Sequence, residues 1–287
     1  DEPLGYKATD AGIGLTVVYI KYQYDKDRPG LWSSVPPLVE VEGLRTTVYD
    51  PRTAAAQDPD DSSTWVGSSN WALNVLDVLR NNPFRPYSDD LLLLTAFATA
   101  ADAADVAVAL DAGGTEARWA IDGTVVFDGA EIEQIIDPMV EAGAGRVVRQ
   151  GGRIGLIAGG AASSDYTATE ILGPLSFSNF AAGKDLPTQV LTTYVAPGRD
   201  YADASLALWD IPGVGAQDSP KVVTQNLPYT TSATRAMRLR KVFGLQAREQ
   251  RRLECVLPPS ALDLVEWSGV TMAIGDAYDG TINGLYR

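Results

Sequence analysis

Alternating hydrophobic and polar positions predict β-strands near the beginning of the chain. Residues 16–24 place β-branched and aromatic side chains on one face of an extended strand, because successive strand residues point to opposite faces. A similar alternation recurs at residues 38–41 and 46–49. Asp50-Pro51 then predicts a turn. The chain is therefore expected to open with a β-rich segment.

Apolar positions three or four residues apart predict helices further along the chain. The first helix is expected to begin at Ser69 or Asn70, whose short polar side chains suit an N-cap, and to end before Pro83. An alanine-rich helix is expected over residues 89–110, and a third helix over about residues 130–142. The middle of the chain is therefore expected to be largely helical.

Two glycine-containing turns predict β-hairpins beside these helices. Asp122-Gly123 joins two strand-like runs within residues 117–127, and Asp-Gly is among the strongest short hairpin signals. Gly151-Gly152 joins two further runs within residues 146–157. Helices and hairpins at this spacing indicate a compact α+β unit.

The last third of the chain has weaker strand signals and one basic helix. Strands are expected at residues 189–195, 221–223 and 253–257. The helix is expected to run from Ser232 to about Arg252. Its expected buried positions are Ala233, Ala236, Met237 and Phe243.

These patterns divide the chain into three segments. Residues 1–52 form a β-rich segment, residues 53–160 an α+β insertion with two hairpins, and residues 161–287 a second β-rich segment that carries the basic helix. The pattern from residue 275 onward resembles a strand cut off in mid-sheet, so we expect the polypeptide to continue beyond both ends. The predicted fold class is α+β, with inserted helices.

The composition excludes the catalytic designs that need histidine. The chain has 287 residues with no histidine and one cysteine, so it holds no Ser-His-Asp or Cys-His pair and no histidine zinc ligand. Cys255 lies in an apolar pattern, which favours a small buried role. The apolar stretch at residues 91–110 is interrupted by Asp102 and Asp105, so no membrane span is predicted. We also predict no catalytic residue, metal or cofactor.

Carboxylates are the chemistry that remains for an enzyme without histidine. Glycoside hydrolases work with a pair of Asp or Glu residues, and the many acidic residues here leave that class open. Asp58, Asp60 and Asp61 crowd one loop, but the run lacks the spaced ligands and the distal Glu of a calcium loop. Solvated loop acids are the favoured interpretation.

Charge is distributed unevenly along the chain. The net charge of −14 argues against nucleic-acid binding, which needs clustered Lys and Arg. Residues 53–128 carry twelve acidic and three basic residues, a net −9, whereas residues 231–252 carry seven basic residues and one acidic, a net +6. Either each block is a solvated face, or opposite-sign faces meet between subunits. The interface candidates under the second interpretation are Asp58, Asp60, Asp61, Arg235, Arg238, Arg240, Lys241 and Arg248.

Several short motifs in the first half of the chain follow a recognisable order. Residues 41–52 read Val-Glu-Gly-Leu-Arg-Thr-Thr-Val-Tyr-Asp-Pro-Arg. Trp65 follows, and residues 69–79 then supply Ala-Leu and Asp-x-Leu positions on a predicted helix. The alanine-rich helix that reaches Asp105 comes next.

Further motifs continue this order, and together they resemble one family. Arg118-Trp-Ala-Ile-Asp-Gly123, residues 146–159 and Ala236-Met-Arg-Leu239 follow in turn. The set is similar to that of the tip attachment, or host specificity, proteins that form the central tail hub of long-tailed, lambda-like phages and gene transfer agents. The resemblance is colinear over most of the chain. Trp71, where the family usually has proline, and Thr188, near an expected asparagine, depart from it.

The resemblance implies a structural and non-enzymatic function. Proteins of this family form a homotrimeric hub at the tail tip, built from β-rich domains, small barrels or sandwiches, with inserted helices. They close the tail tube, contact the distal tail protein, other tail-tip proteins and the tape measure protein, and continue into a central fibre that reaches the host receptor. The implied location is the tail tip of the virion, with a role in host attachment and DNA ejection.

Two other functions remain open beside the tail-tip hub. One is a carboxylate-dependent, tail-associated glycan hydrolase that degrades the cell wall, which would need two carboxylates facing each other across a cleft. The other is a carbohydrate-binding module, which would need exposed coplanar aromatic rings. Trp32, Trp65 and Trp209 lie in loop-like stretches and are the candidates for such rings.

Overall fold

The protein is described from a computed structural model. The described residues are 46–53, 56–127, 129, 131–158, 163–167, 171–178, 186–215, 219–264, 269–273 and 284–286. The chain divides into two units, residues 1–44 and residues 45–287, and every described residue belongs to the second. The strands expected at 16–24 and 38–41, and Trp32, lie outside the described residues.

Four helices and fifteen short strands make up the described part of the chain. The helices are α1 (Trp71–Arg80), α2 (Leu94–Asp105), α3 (Ile132–Glu141) and α4 (Ala233–Ala247). The strands of the first half are β1 (Thr47–Val48), β2 (Val66–Gly67), β3 (Ala107–Ala109), β4 (Thr115–Ala117), β5 (Gly145–Gln150) and β6 (Arg153–Ala158). The others are β7 (Ser163–Thr167), β8 (Leu172–Ser178), β9 (Gln189–Ala196), β10 (Ala202–Ser205), β11 (Trp209–Asp210), β12 (Val222–Leu227), β13 (Arg252–Val256), β14 (Gly269–Ala273) and β15 (Gly284–Tyr286).

The strands form several small sheets rather than one large one. β9 is the centre of the largest, with β10 and β11 antiparallel to it and β12 parallel. β14 lies between β15 and β7, and the remaining strands pair two by two. The fold is α+β, as predicted, and the described strands do not close into a barrel. None of the helices in this part of the chain is long and apolar enough to cross a bilayer.

The helix α1 lies at the centre of the main hydrophobic core. Trp71 is fully buried, and its indole Nε1 donates a hydrogen bond of 2.7 Å to the carbonyl oxygen of Met139 in α3. Phe97 of α2 and Leu156 of β6 are buried in the same cluster. The core therefore joins α1, α2 and α3 to the β5–β6 hairpin.

The beginning of α1 confirms the prediction from local sequence. Asn70 is the N-cap, and its Oδ1 accepts hydrogen bonds from the backbone N–H groups of Ala72 and Leu73. Its Nδ2 also donates to the carbonyl oxygen of Ala101 in α2. The same side chain therefore begins one helix and links it to the next.

The alanine-rich helix is shorter than predicted at both ends. It covers Leu94–Asp105 rather than residues 89–110. The backbone N–H of Leu93 donates to Ile154 in β6, which fixes the entry to the helix. After Asp105 the chain turns into β3, which pairs with β4, and Gly113-Gly114 lie in the turn between those strands with φ values of 90° and 83°. Residues Ala107–Ala109 pair as a strand instead of extending the helix.

The Asp122-Gly123 hairpin was a wrong prediction. Residues 124–127 form no strand. The strand that precedes Asp122-Gly123 is β4, and it pairs with β3. The backbone N–H of Asp122 donates instead to the carbonyl oxygen of Tyr229 at 3.0 Å. Gly123 has φ of 151°, and a Cβ placed there would lie 2.7 Å from the Tyr229 ring. The lack of a side chain at Gly123 therefore lets this segment pack closely against Tyr229, which is distant in sequence.

Two other local predictions in this half are confirmed. The β5–β6 hairpin turns at Gly151-Gly152, whose φ values of 58° and 79° are those of the tight turn that follows the twist of a hairpin. The third helix, predicted at about 130–142, is α3 at Ile132–Glu141.

The second half follows the predicted order with different boundaries. β9 and β12 extend past the predicted strands at 189–195 and 221–223. α4 begins after its N-cap Ser232, as predicted, but ends at Ala247, because β13 then pairs with β8. Cys255 in β13 is half-buried, and this burial raises the pKa of its thiol.

The buried face of α4 differs from the predicted one. Ala236 is buried as expected, whereas Met237 is 47% exposed. Arg235 and Leu239 are buried in its place. The helix therefore turns Arg235 inward, because this arginine contacts the acidic residues Glu116 and Asp122.

Candidate functional site

The amino-terminal half of α4 binds acidic residues of its own chain. Arg238 Nη1 lies 2.7 Å from Glu116 Oε1, and Arg235 Nη1 lies 3.5 Å from Asp122 Oδ2. Glu116 and Asp122 belong to the acidic block identified in the sequence. Opposite charges of the two blocks thus meet within one chain at this point.

Glu116 is the centre of this ionic cluster. It accepts hydrogen bonds from the hydroxyl groups of Ser232 and Thr234 as well as from Arg238. Burial alone would raise the pKa of Glu116, but the hydrogen bonds of Thr234, Arg238 and Ser232 outweigh it and lower the pKa. The ionised carboxylate therefore stabilises the junction between β4 and α4.

The arginines of the cluster also bind backbone groups near β4. Arg235 is 8% exposed, and its Nη1 donates to the carbonyl oxygen of Ala120. Arg238 Nη2 donates to the carbonyl oxygen of Arg118 at 3.1 Å, and its guanidinium lies 5.9 Å from the Trp119 ring centroid. A buried charge needs such partners, because an unpaired one would cost several kcal/mol.

Two further arginines of the basic segment, Arg240 and Arg248, bind loops of the β9 sheet. Arg240 Nη1 donates to the carbonyl oxygen of Ala207 at 2.6 Å, and its guanidinium lies 5.7 Å from the Trp209 ring centroid. Arg248 donates to the carbonyl oxygens of Pro187 and Gly213. The sequence pattern proposed these arginines for a contact with another subunit, and the structure places them on groups of their own chain. Among the basic candidates, Lys241 is the one whose exposed side chain leaves that hypothesis open.

An exposed stripe runs along the opposite side of α4. Met237, Lys241 and Leu245 are spaced by four residues, so they share one face of the helix. Met237 is 47% exposed and Leu245 is 42% exposed. We call these three residues the outer stripe of α4.

The acidic loop candidates Asp58, Asp60 and Asp61 all lie at the surface. Asp61 Oδ1 accepts hydrogen bonds from the backbone and hydroxyl of Ser63, which lower the pKa of this carboxyl. The carbonyl oxygen of Asp58 accepts a 2.8 Å hydrogen bond from the indole of Trp65. No group of three or more metal-ligating side chains occurs within the described ranges.

Arg80, at the end of α1, connects this loop to the following segment. Its guanidinium lies 4.9 Å from the Tyr49 ring centroid and 5.6 Å from that of Trp65. Its Nε is 2.7 Å from Asp89 Oδ1, and its Nη2 donates to the carbonyl oxygen of Pro59. The sequence patterns assign Arg80 no role. Its position in the sequence between Trp65 and Tyr87, and between the pairs Asp60-Asp61 and Asp89-Asp90, was the available signal.

A cleft of about 520 Å³ opens beside Arg80. We call it the acidic cleft, and its lining residues are Pro59, Asp60, Ser62, Trp65, Arg80, Asn81, Tyr87, Ser88, Asp89 and Asp90. One wall of the cleft is formed by residues 80–90. Two exposed apolar side chains lie there, Phe84 within this segment and Leu91 directly after it. The cleft thus combines aromatic rings with exposed carboxylates.

A second ionic cluster that sequence reasoning missed surrounds Arg52. Its guanidinium binds Asp50 at 2.7 Å, Asp102 at 3.0 Å and Asp105 at 2.9 Å. Burial alone would raise the pKa of Asp50, but hydrogen bonds from Arg52 outweigh it and lower the pKa. Arg52 therefore ties the Tyr-Asp-Pro-Arg segment to the end of α2.

Comparisons with known proteins give limited similarity. No family model matches the chain. No curated protein matches it either. Among solved structures, a chain of "Virion of native gene transfer agent (GTA) particle" has a TM-score of 0.47 and 15% sequence identity to this chain. The similarity covers 68% of this chain and 46% of the other, so this chain spans less than half of that protein's length.

Proposed function

We propose that the protein is a structural component of the virion of a tailed phage or gene transfer agent. Its place is the tail-tip hub, where it closes the tail tube, anchors the central fibre and acts in host attachment and DNA ejection. It works there as a homotrimer without catalytic activity. Its neighbours are the distal tail protein, other tail-tip proteins and the tape measure protein, and it meets the host receptor through the fibre.

The observation that carries the proposal is that the motifs of the resemblance contact one another. Arg52 of the Tyr-Asp-Pro-Arg motif binds Asp102 and Asp105 of the alanine-rich helix. Ala120 of the Arg-Trp-Ala-Ile motif pairs with Asn70 at the start of α1. Motifs that are far apart in sequence thus form one physical unit, as expected of a scaffold.

The last motif joins the same unit. Arg238 of the Ala-Met-Arg-Leu motif binds Glu116 and the carbonyl oxygen of Arg118. Ala236 and Leu239 of that motif are buried in the main core. The charged groups of these motifs hold segments of the chain together, which supports a structural rather than a catalytic use.

Labelling of purified particles tests this proposal. An antibody against the protein, detected with gold particles in negative-stain images, should mark one end of the tail. Label on the capsid, or a protein missing from purified particles, would contradict it. Peptidoglycan hydrolysis by the isolated protein would favour the glycan hydrolase instead, and loss of that activity on replacing a cleft carboxylate such as Asp60 or Asp90 would locate the site.

A further inference from the structure

We propose that the acidic cleft of one copy of this protein receives the outer stripe of α4 from a neighbouring copy. The inference rests on the proposed function, because it assigns a contact surface to the oligomer of that function. It concerns Lys241, Met237 and Leu245 on one side and Asp60 and Asp90 on the other.

The cleft is suited to a cation with apolar neighbours. Asp89 is held by Arg80, whereas Asp60 and Asp90 are exposed carboxylates on the lining. Trp65 and Tyr87 supply aromatic surface beside them. An ammonium group gains from both kinds of partner, since carboxylates attract it directly and an aromatic face attracts it through the ring quadrupole.

The outer stripe of α4 has the complementary composition. Lys241 lies between two apolar residues, Met237 and Leu245, one helical turn away on either side. Both apolar side chains are more than two-fifths exposed, so a partner has apolar area to cover. An exposed ion pair alone contributes little, and the apolar flanks are what make the stripe a binding surface rather than a solvated charge.

The cleft and the inner, buried face of α4 lie near opposite ends of α1. The cleft includes Arg80, the last residue of that helix. α4 contacts the backbone of Ala120, which pairs with Asn70 at the first end of the helix. Since α1 has 10 residues, the two ends are about 15 Å apart.

In the proposed contact the two surfaces belong to different copies. The stripe of one subunit meets the cleft of the next, so the two surfaces in contact are different. Such a heterologous contact produces a closed ring when the rotation between subunits closes. A ring of three is the homotrimer of the proposed function.

Charge reversal tests the contact in the intact protein. Lys241→Glu places a negative charge against Asp60 and Asp90, and sedimentation velocity over a concentration series should show association weakened by about tenfold or more. Asp60→Lys with Asp90→Lys should weaken it similarly. The combined variant with all three reversals restores opposite charges and should recover most of the association.

Two further variants separate this contact from general charge effects. Arg153→Glu makes the same change of charge at an exposed position of the β5–β6 hairpin and should leave association unchanged. Met237→Ser with Leu245→Ser removes the apolar flanks without changing charge and should weaken association. Circular dichroism of each variant verifies that it remains folded.

The outcomes are distinguishable from those of the proposed function. Association of Lys241→Glu equal to that of the unmodified protein, or no recovery in the combined variant, overturns the cleft contact and leaves the tail-tip role to the labelling experiment. An unmodified protein that stays monomeric at every concentration overturns both the contact and the homotrimer. If the tail tip is labelled but Lys241→Glu associates as the unmodified protein does, another surface joins the copies.

Discussion

Trp71 occupies a site built around its indole ring. The ring is fully buried, and the backbone at Gly143 and Gly145 passes directly against it. The Gly-Ala-Gly segment reads as an ordinary turn in the sequence, whereas its glycines are required because a side chain would enter the indole. Trp71 is also a position where the sequence differs from the motif that it resembles, and the core here is built around the tryptophan.

Gly143→Ala should therefore destabilise the fold. A Cβ at Gly143 would lie 2.1 Å from two indole atoms of Trp71, so the core must shift, at a cost of about 1–3 kcal/mol in the free energy of unfolding. Urea denaturation measures this loss. Gly198→Ala is the matched control, because a Cβ there meets no atom within 4 Å, and it should change stability by less than about 0.5 kcal/mol. Equal effects of the two substitutions would contradict the packing argument.

Glu116 makes stability depend on pH. Its pKa in the folded protein lies below the ordinary value of 4.5, since the hydrogen bonds from Thr234, Arg238 and Ser232 outweigh the burial that would raise it. The contribution is therefore fully present above about pH 4.5 and is lost as the pH falls through the folded-state pKa.

Glu116→Gln should lower the free energy of unfolding by about 1–3 kcal/mol at pH 7, because charge-assisted hydrogen bonds are lost. The difference from the unmodified protein should shrink when unfolding is measured below pH 4. Glu133→Gln, in the exposed pair with Arg149, is the control and should have little effect at either pH. A Glu116→Gln deficit that is the same at both pH values would exclude the assigned role of the carboxylate.

Among the elements, α1 and the β5–β6 hairpin follow from local sequence. The Asn70 cap and the Gly151-Gly152 turn act on their nearest neighbours, so short-range rules are sufficient to predict them. The Asp122-Gly123 segment does not, because its partner is Tyr229, more than 100 residues later. A long-range contact decides the conformation there, and sequence spacing alone carries no information about it.

The basic helix α4 illustrates the same limit for the candidate site. Its charge and its N-cap were predictable, but its buried face was not, because Arg235 and Arg238 are turned inward by Glu116 and Asp122. A hydrophobic pattern assigns such arginines to the solvent. The sequence therefore indicated an unusual cluster of basic residues in α4, but it did not indicate which acidic residues they bind.

Asn70→Ala should weaken α1 and its contact with α2. The substitution removes the acceptor for Ala72 and Leu73 and the donor to Ala101, and it should lower the free energy of unfolding by about 1–3 kcal/mol. Asn70→Ser restores the cap without the donor and should recover part of the loss. Urea denaturation measures both variants.

Ser88→Ala is the control for this cap. Ser88 precedes the short 3-10 helix at Asp89–Leu91 and makes no side-chain cap hydrogen bond. Its substitution should change stability by less than about 0.5 kcal/mol. An Asn70→Ala loss as small as that of Ser88→Ala would mean that the Asn70 hydrogen bonds contribute nothing net.

Across the whole molecule, the acidic residues discussed above form two groups, one paired with arginines of the same chain and one exposed around the acidic cleft and loop. Glu116 and Asp122 neutralise arginines of α4 inside the chain, and Asp102 and Asp105 bind Arg52. Asp58, Asp60, Asp61 and Asp90 stay exposed around the acidic cleft and loop. The second group is the one available for contacts between copies, which is why the proposed interface uses the cleft and Lys241.

The α+β class was predictable because assigning it requires only the types of secondary-structure element and their order along the chain. The assembly was not predictable, because the hydrophobic periodicity of one chain does not specify how copies contact each other. The colinear motifs supply the functional proposal, and two contacts, Arg52 with Asp105 and Arg238 with the carbonyl oxygen of Arg118, join segments that carry those motifs. The position of the protein at the tail tip is the part of the proposed function that needs a direct test.

A three-dimensional reconstruction of the native particle by electron cryo-microscopy provides that test. We expect density for three copies of this chain around the axis at the distal end of the tail, with α4 of each copy beside the acidic cleft of the next. Density for the chain elsewhere in the particle, or a tail tip that contains no copy of it, would contradict the tail-tip role.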